Sequence, residues 1–192
     1  MLVIFLLSDQ GSKYMFADNI LGPIKQWGYL VRDLDEAMNC WINQLGVGPW
    51  WGYRNVPATA VCNGRQNPIL MSVGLAYHQG IQIELIQQHD DAPSPYQYFY
   101  QRGTEAQVLQ QVAYMVPDVE EAIVQCQQRG MHEVGRILPS PTQTYVYMSS
   151  PAMAGLAIEL MPHDQNFLDD YARCVAESTA WDGANPYRLI SF

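Results

Sequence analysis

Two stretches of the 192-residue chain repeat one another: Gln26-Trp-Gly-Tyr-Leu-Val-Arg-Asp-Leu-Asp-Glu-Ala37 and Gln111-Val-Ala-Tyr-Met-Val-Pro-Asp-Val-Glu-Glu-Ala122. Six of the twelve positions are identical, at an offset of 111 − 26 = 85 residues. A second pair, Ile81-Gln-Ile-Glu-Leu-Ile86 and Leu156-Ala-Ile-Glu-Leu-Met161, recurs at an offset of 75. Only two copies at so long a period exclude a solenoid, whose units run to ~20–50 residues. The chain is a duplicated module, and the difference in offset places longer loops in the first copy.

Working outward from Gln26, residues 24–31 are aliphatic and aromatic with weak alternation, which predicts a strand. Asp33 stands as a helix N-cap, with Glu36 three residues on completing a capping box. Leu34, Ala37, Met38, Trp41, Ile42 and Leu45 follow at helical spacing, and Gly46 stops the helix. The second copy repeats this with Asp118, Glu121, the stripe Val119, Ala122, Ile123 and Cys126, and Gly130. Strand-like runs follow each helix, at 69–77 and 81–87 in the first copy and at 144–148 and 156–161 in the second. The unit reads β-α-β-β-β, over residues 22–90 and 106–162. A Pro-rich linker with a short helix ending at Gly103 joins the copies. Beyond Pro162 a third helix is predicted, with Phe167, Leu168, Tyr171, Ala172, Val175 and Thr179 on one face, followed by an irregular tail that packs or meets a second subunit. Residues 1–21 form an N-terminal extension. Its Met1-Leu-Val-Ile-Phe-Leu-Leu7 reads either as an edge strand or as translated sequence upstream of a start at Met15.

With 48% hydrophobic and 15% charged residues the chain can bury a large core. Ten Lys+Arg against nineteen Asp+Glu, net −9, would be repelled by nucleic acid or an anionic membrane. No run reaches the ~18 apolar residues that cross a bilayer. Cys40, Cys62, Cys126 and Cys174 form no C-x-x-C pair and read as reduced thiols of a cytoplasmic protein.

The repeat fixes four polar residues in or beside apolar strands: Gln26, Glu84, Gln111 and Glu159. Carboxylates facing one another on a barrel-lining surface need a cation or a proton. Two carboxylates and two amide oxygens can hold a hard divalent ion such as Mg²⁺ or Mn²⁺. They can equally form a dry hydrogen-bonded network, or the glutamates can point to solvent.

The segments Gln26-x-Gly-x-x-Val-x-Asp-Leu-Asp-x-Ala37, Leu45-Gly-Val-Gly-Pro-Trp50, Ile83-Glu-Leu85 and Ser94-Pro-Tyr, with Gln111-x-Ala-x-x-Val-x-Asp-Val-Glu-x-Ala122 and Ile158-Glu-Leu160, cover residues 22–162. Together they resemble the vicinal oxygen chelate superfamily, which includes glyoxalase I, methylmalonyl-CoA epimerase, extradiol dioxygenases and bleomycin-resistance proteins. The Leu-Gly-x-Gly-Pro stretch and the linker are most similar to the epimerase and glyoxalase I-like branch. The expected fold is α+β: two tandem βαβββ modules forming an incomplete eight-stranded barrel, plus a C-terminal helix. The resemblance implies metal ligands at Gln26, Glu84, Gln111 and Glu159, for Mn, Mg, Co or Ni. The chain departs from the branch in carrying glutamine where histidine is usual at 111 and frequent at 26. The lack of a His-His-Glu set argues against oxygen chemistry, and of the four histidines only His78 is expected near a pocket mouth.

Two functions follow. One is a metal-dependent epimerase, isomerase or lyase that moves a proton next to a carbonyl, with Glu159 as base and Glu84 its counterpart on the other face. Its substrate is an apolar acyl compound walled by Trp27, Trp50, Trp51, Tyr53, Tyr77 and Tyr96. The other is a non-catalytic, bleomycin-resistance-like protein that binds a small hydrophobic ligand without metal. A homodimer is expected in either case.

Overall fold

Residues 20–191 are described in the structure, a computed structural model; the expectations for Met1–Leu7 and for a start at Met15 lie outside them. Strand β1 (Ile24–Val31) leads into α1 (Leu34–Leu45). Asp33 is extended and its carboxylate accepts from the Glu36 N–H at 2.9 Å, while Gly46 turns left-handed to end the helix. Strands β2 (Trp50–Cys62), β3 (Arg65–His78) and β4 (Ile81–Gln88) complete the first module, and α2 (Gln97–Arg102) ends at Gly103 in the linker. The second module is β5 (Gln107–Val116), α3 (Val119–Gln128), β6 (His132–Ser140), β7 (Gln143–Ser149) and β8 (Ala157–Pro162). Asp118 caps α3 as Asp33 caps α1. Helix α4 (Gln165–Thr179) and β9 (Tyr187–Ser191) follow.

The strands run β3-β4-β1-β5-β8-β7-β6-β2, and β2 pairs back onto β3. The barrel is therefore closed, where an incomplete one was expected. The long β2–β3 hairpin is the cause: β2 extends far enough for residues 59–61 to pair with residues 136–138 of β6. The tail is irregular over residues 181–186, where 181–187 was expected to be, and a strand follows from Tyr187. β9 lies parallel to β2 over Trp50 to Arg54, and the Trp181 ring packs over Gly48, so the tail finds its surface within the chain.

Three hydrophobic clusters result. Leu30, Ala60, Met71, Ile86, Tyr96, Phe99, Ile137, Tyr147 and Ala157 fill the barrel. α1 packs Leu34, Ala37 and Met38 on the outside of the first module beside Trp50. α3 packs Ala122, Ile123 and Cys126 on the outside of the second, joined by Leu21. α4 lies against β3, with the Tyr171 ring 4.9 Å from Tyr77 and Cys174 buried. Of the expected face Phe167, Leu168, Tyr171 and Val175 turn inward, while Ala172 and Thr179 are exposed and Cys174 and Ser178 take their place. The cysteines are free, and among the described residues no helix is long and apolar enough to cross a membrane.

Candidate active site

The two copies place their polar residues in one register. In the first, β1 runs parallel to β4 with Gln26 beside Gln82 and Gly28 beside Glu84. In the second, β5 runs parallel to β8 with Gln111 beside Ala157 and Ala113 beside Glu159. β1 and β5 pair antiparallel, Gln26 with Ala113 and Gly28 with Gln111, so a local twofold brings all four residues together. Strand alternation sends Gln26, Glu84, Gln111 and Glu159 to the same side as Leu30, Ile86 and Ala157, into the barrel.

There the Gln111 amide joins the two carboxylates. Its Nε2 donates to Glu159 Oε2 at 2.8 Å and to Glu84 Oε2 at 3.0 Å. Gly28 makes this reach possible: a Cβ at that position would stand 2.4 Å from Gln111 Cγ. The twofold mate of Gly28 is Ala113, which pairs with Gln26 and carries a methyl where Gly28 has none. Gln26 stays within its own module, where Nε2 donates to Gln82 Oε1 at 2.9 Å and the amide also hydrogen-bonds Glu84. Gln82 in turn donates to the Tyr77 hydroxyl at 2.5 Å.

Tyr147 on β7 donates to Glu159 Oε1 at 3.0 Å, and the Tyr96 hydroxyl lies 2.8 Å from that of Tyr147. Glu159 is 2% exposed and engaged at both oxygens, while Glu84 keeps partial contact with solvent. Burial pushes the pKa of Glu84 well up, and the neighbouring charge of Glu159 adds to it, against the hydrogen bonds from Gln26 and Gln111. Burial raises Glu159 as well, partly offset by Tyr147 and Gln111. Two carboxyls this close in the barrel hold a proton between them at neutral pH or need a cation.

The aromatic residues expected as substrate walls are dispersed. Trp50 is fully buried between α1 and the sheet, its Nε1 donating to the Val47 carbonyl, and Trp27, 41% exposed, points away from Gln26 on the outer face of β1. Trp51 lies edge-on to Tyr77 with the Arg188 guanidinium over its ring. Tyr53 is 43% exposed, and Tyr96 reaches the site only through Tyr147. His78 lines a cleft of about 140 Å³ between α4 and the β3–β4 turn, away from the carboxylates. Sequence reasoning does not single out Gly28, Gln82 or Tyr147. Gly28 had a visible signal, because the repeat aligns it with Ala113; Tyr147 had none beyond a strand pattern in which tyrosine is ordinary.

A profile of the Glyoxalase/Bleomycin resistance protein/Dioxygenase superfamily matches residues 25–137, more than half of the chain. The chain belongs to this superfamily. Its fold is similar to that of methylmalonyl-CoA epimerase from Mycobacterium tuberculosis, at 19% identity and a TM-score of 0.50, covering 81% of this chain and 97% of that one. It is also similar to a hypothetical protein from Bacillus halodurans C-125, at 14% identity and a TM-score of 0.54, covering 74% and 95%. At these identities the likeness is one of fold. No curated protein sequence gives a significant match.

The superfamily resemblance implies a divalent metal, and the donor set can be tested for fit. Among the described residues no group of three or more His, Cys, Asp or Glu is placed to hold an ion, so a cation here needs the glutamines. Both have an oxygen to give: Gln26 Oε1 and Gln111 Oε1 are buried without a hydrogen-bond partner. Such orphaned acceptors cost about 1–3 kcal/mol each. Gln111 turns its nitrogen to the carboxylates in the cation-free protein, and a half-turn of the amide brings Oε1 to them instead. With Gln26 Oε1 and the two carboxylates this makes a set of four hard oxygen donors, which suits Mg²⁺ or Mn²⁺ better than a thiophilic ion.

Proposed function

We propose that the protein is a glyoxalase-like enzyme, an epimerase, isomerase or lyase, that transfers an α-proton on an apolar carbonyl or acyl substrate with the help of a divalent cation. The observation that carries this reading is the meeting of Glu84 and Glu159, one from each module, at a single amide nitrogen inside the barrel. A carboxylate whose pKa is raised toward neutrality is a stronger base than a free one and can return the proton it takes.

A carboxylate of the pair removes the hydrogen next to the carbonyl: the C–H bond breaks, an O–H bond forms on the glutamate, and the electron pair moves onto the carbonyl oxygen. Return of the proton from the same or the opposite glutamate completes an isomerisation or an epimerisation. Gln26, Glu84, Gln111 and Glu159 would hold the cation, which when bound supplies positive charge to the developing oxyanion. Leu75, Val56 and Tyr145, packed on the barrel cluster, give the interior its apolar wall. The acid excess, the free cysteines and the expected homodimer fit a cytoplasmic enzyme of small molecules that has no nucleic-acid or membrane partner. One observation favours the alternative of a bleomycin-resistance-like binder: the Gln111 amide already bridges the two carboxylates through hydrogen bonds.

The Mn²⁺-loaded protein, incubated in D₂O with a panel of apolar acyl compounds that carry an α-hydrogen, is expected to exchange that hydrogen for deuterium in at least one, read by proton NMR. Saturable binding of panel members without exchange in any would establish the binding-protein reading instead.

A further inference from the structure

Glu84 and Glu159 occupy equivalent places in their modules, and their surroundings differ on one side. Opposite Glu84, on the preceding strand, stands Leu75; opposite Glu159, at the same register position, stands Tyr147. The leucine offers a carboxylate nothing, whereas the tyrosine hydroxyl donates to Oε1. A phenol has one proton, and that of Tyr147 is committed to Glu159, so Tyr96 is the donor in the contact between the two hydroxyls. Tyr96 precedes α2 in the linker between the modules, and its ring meets that of Tyr147 edge-on at 5.7 Å. Both rings are buried, which keeps both hydroxyls protonated and able to donate. Glu159 is thus held at Oε1 by Tyr147 and at Oε2 by Gln111. Glu84 meets the same amide at Oε2 and is hydrogen-bonded by Gln26, both of them ligands in the cation-bound reading, but it has no hydroxyl across the barrel and keeps some contact with solvent.

We propose that Tyr147, backed by Tyr96, is a positioning residue: it holds Glu159 so that a single oxygen, Oε2, faces the cation, and leaves Glu84 as the carboxylate that moves the proton. This rests on the cation-dependent reading above and reverses the order of roles expected from sequence, where Glu159 was the preferred base. Sequestering Oε1 prevents Glu159 from binding the ion through both oxygens or swinging toward the substrate. Glu84, lacking this restraint, can turn between the ion and the reacting carbon.

Mn²⁺ titrated into the chelator-stripped full-length protein, with free Mn²⁺ read by electron paramagnetic resonance, tests the assignment. Tyr147→Phe is expected to weaken binding by about 10–100-fold, the usual cost of removing a partner from a ligating side chain. Tyr96→Phe, which leaves the Tyr147 hydroxyl in place, is expected to weaken it less. The double variant is expected to match Tyr147→Phe, because Tyr96 acts through Tyr147. Circular dichroism confirms folding, and Tyr96→Phe alone still reports if Tyr147→Phe does not fold. Wild-type affinity in a folded Tyr147→Phe, an unchanged affinity in Tyr96→Phe, or simple additivity in the double variant overturns the proposal and leaves the functional reading standing. A wild-type protein that binds no Mn²⁺ overturns the functional reading and this inference with it.

Discussion

Glu84→Gln lowers α-proton exchange by about 10²–10⁴-fold, the range for loss of a positioned general base, and at the same time makes the cation-free protein more stable at neutral pH. The two effects have one origin. Burial and the adjacent Glu159 hold the Glu84 carboxyl well above its ordinary range. The folded protein therefore binds a proton there that the unfolded chain has already released, and stability falls as pH rises from the ordinary carboxyl range toward the folded value. A glutamine at 84 has no proton to lose and removes that slope. With chelator present, urea unfolding is expected to show Glu84→Gln and wild type alike near about pH 4 and the variant the more stable near about pH 8. A variant that exchanges at the wild-type rate contradicts the role given to Glu84; one that loses stability on raising the pH as steeply as wild type contradicts its burial beside a second charge.

Gly28→Ala is expected to disable the site through Gln111, although Gly28 itself carries no chemistry. The new methyl would stand 2.4 Å from Cγ and 2.6 Å from both Cδ and Nε2 of Gln111, a side chain that is fully buried and held by two carboxylates. Gln111 must swing away, which leaves Glu84 and Glu159 facing each other without their shared donor. Overpacking of this kind costs about 1–3 kcal/mol, and Mn²⁺ affinity is expected to fall with it. Ala113→Gly at the twofold mate is the control, because it opens space and displaces nothing; it is expected to cost about 1 kcal/mol and to keep the cation. Equal Mn²⁺ affinity in Gly28→Ala and wild type would show that Gln111 does not depend on lying across that glycine.

Much of this arrangement is legible in the sequence because the chain is written twice. Asp33 and Asp118 cap both module helices where the pattern puts them. The four polar residues stand out because the repeat keeps them inside otherwise apolar strands. Features set by distant pairing are not legible. β3 begins at Arg65, four residues ahead of its hydrophobic run, because those four pair with the far end of β2 rather than with a core. β9 hides behind Gly183 and Pro186, which read as turn signals, and its partner lies more than a hundred residues away in the chain. Barrel closure likewise depends on a three-residue pairing of β2 with β6 that leaves no local periodicity. Within the site, the two glutamates look equivalent in sequence, and only the cross-strand register that sets Leu75 against one and Tyr147 against the other separates them. Trp50 and Trp27 mislead in the opposite sense, since aromatic residues suited to a pocket wall suit a helix–sheet core or an outer strand face equally well.

The central claim is that Gln26, Glu84, Gln111 and Glu159 form one cation site. Its most direct test is metal content: chelator-stripped protein is dialysed against Mn²⁺, Mg²⁺, Co²⁺ and Ni²⁺ in turn, then assayed by mass spectrometry for metal bound per chain. The predicted result is about one ion per chain in the wild type for at least one of the four, lost in Glu159→Gln. Failure of the wild type to retain any of them stoichiometrically, or retention unchanged in Glu159→Gln, would contradict it.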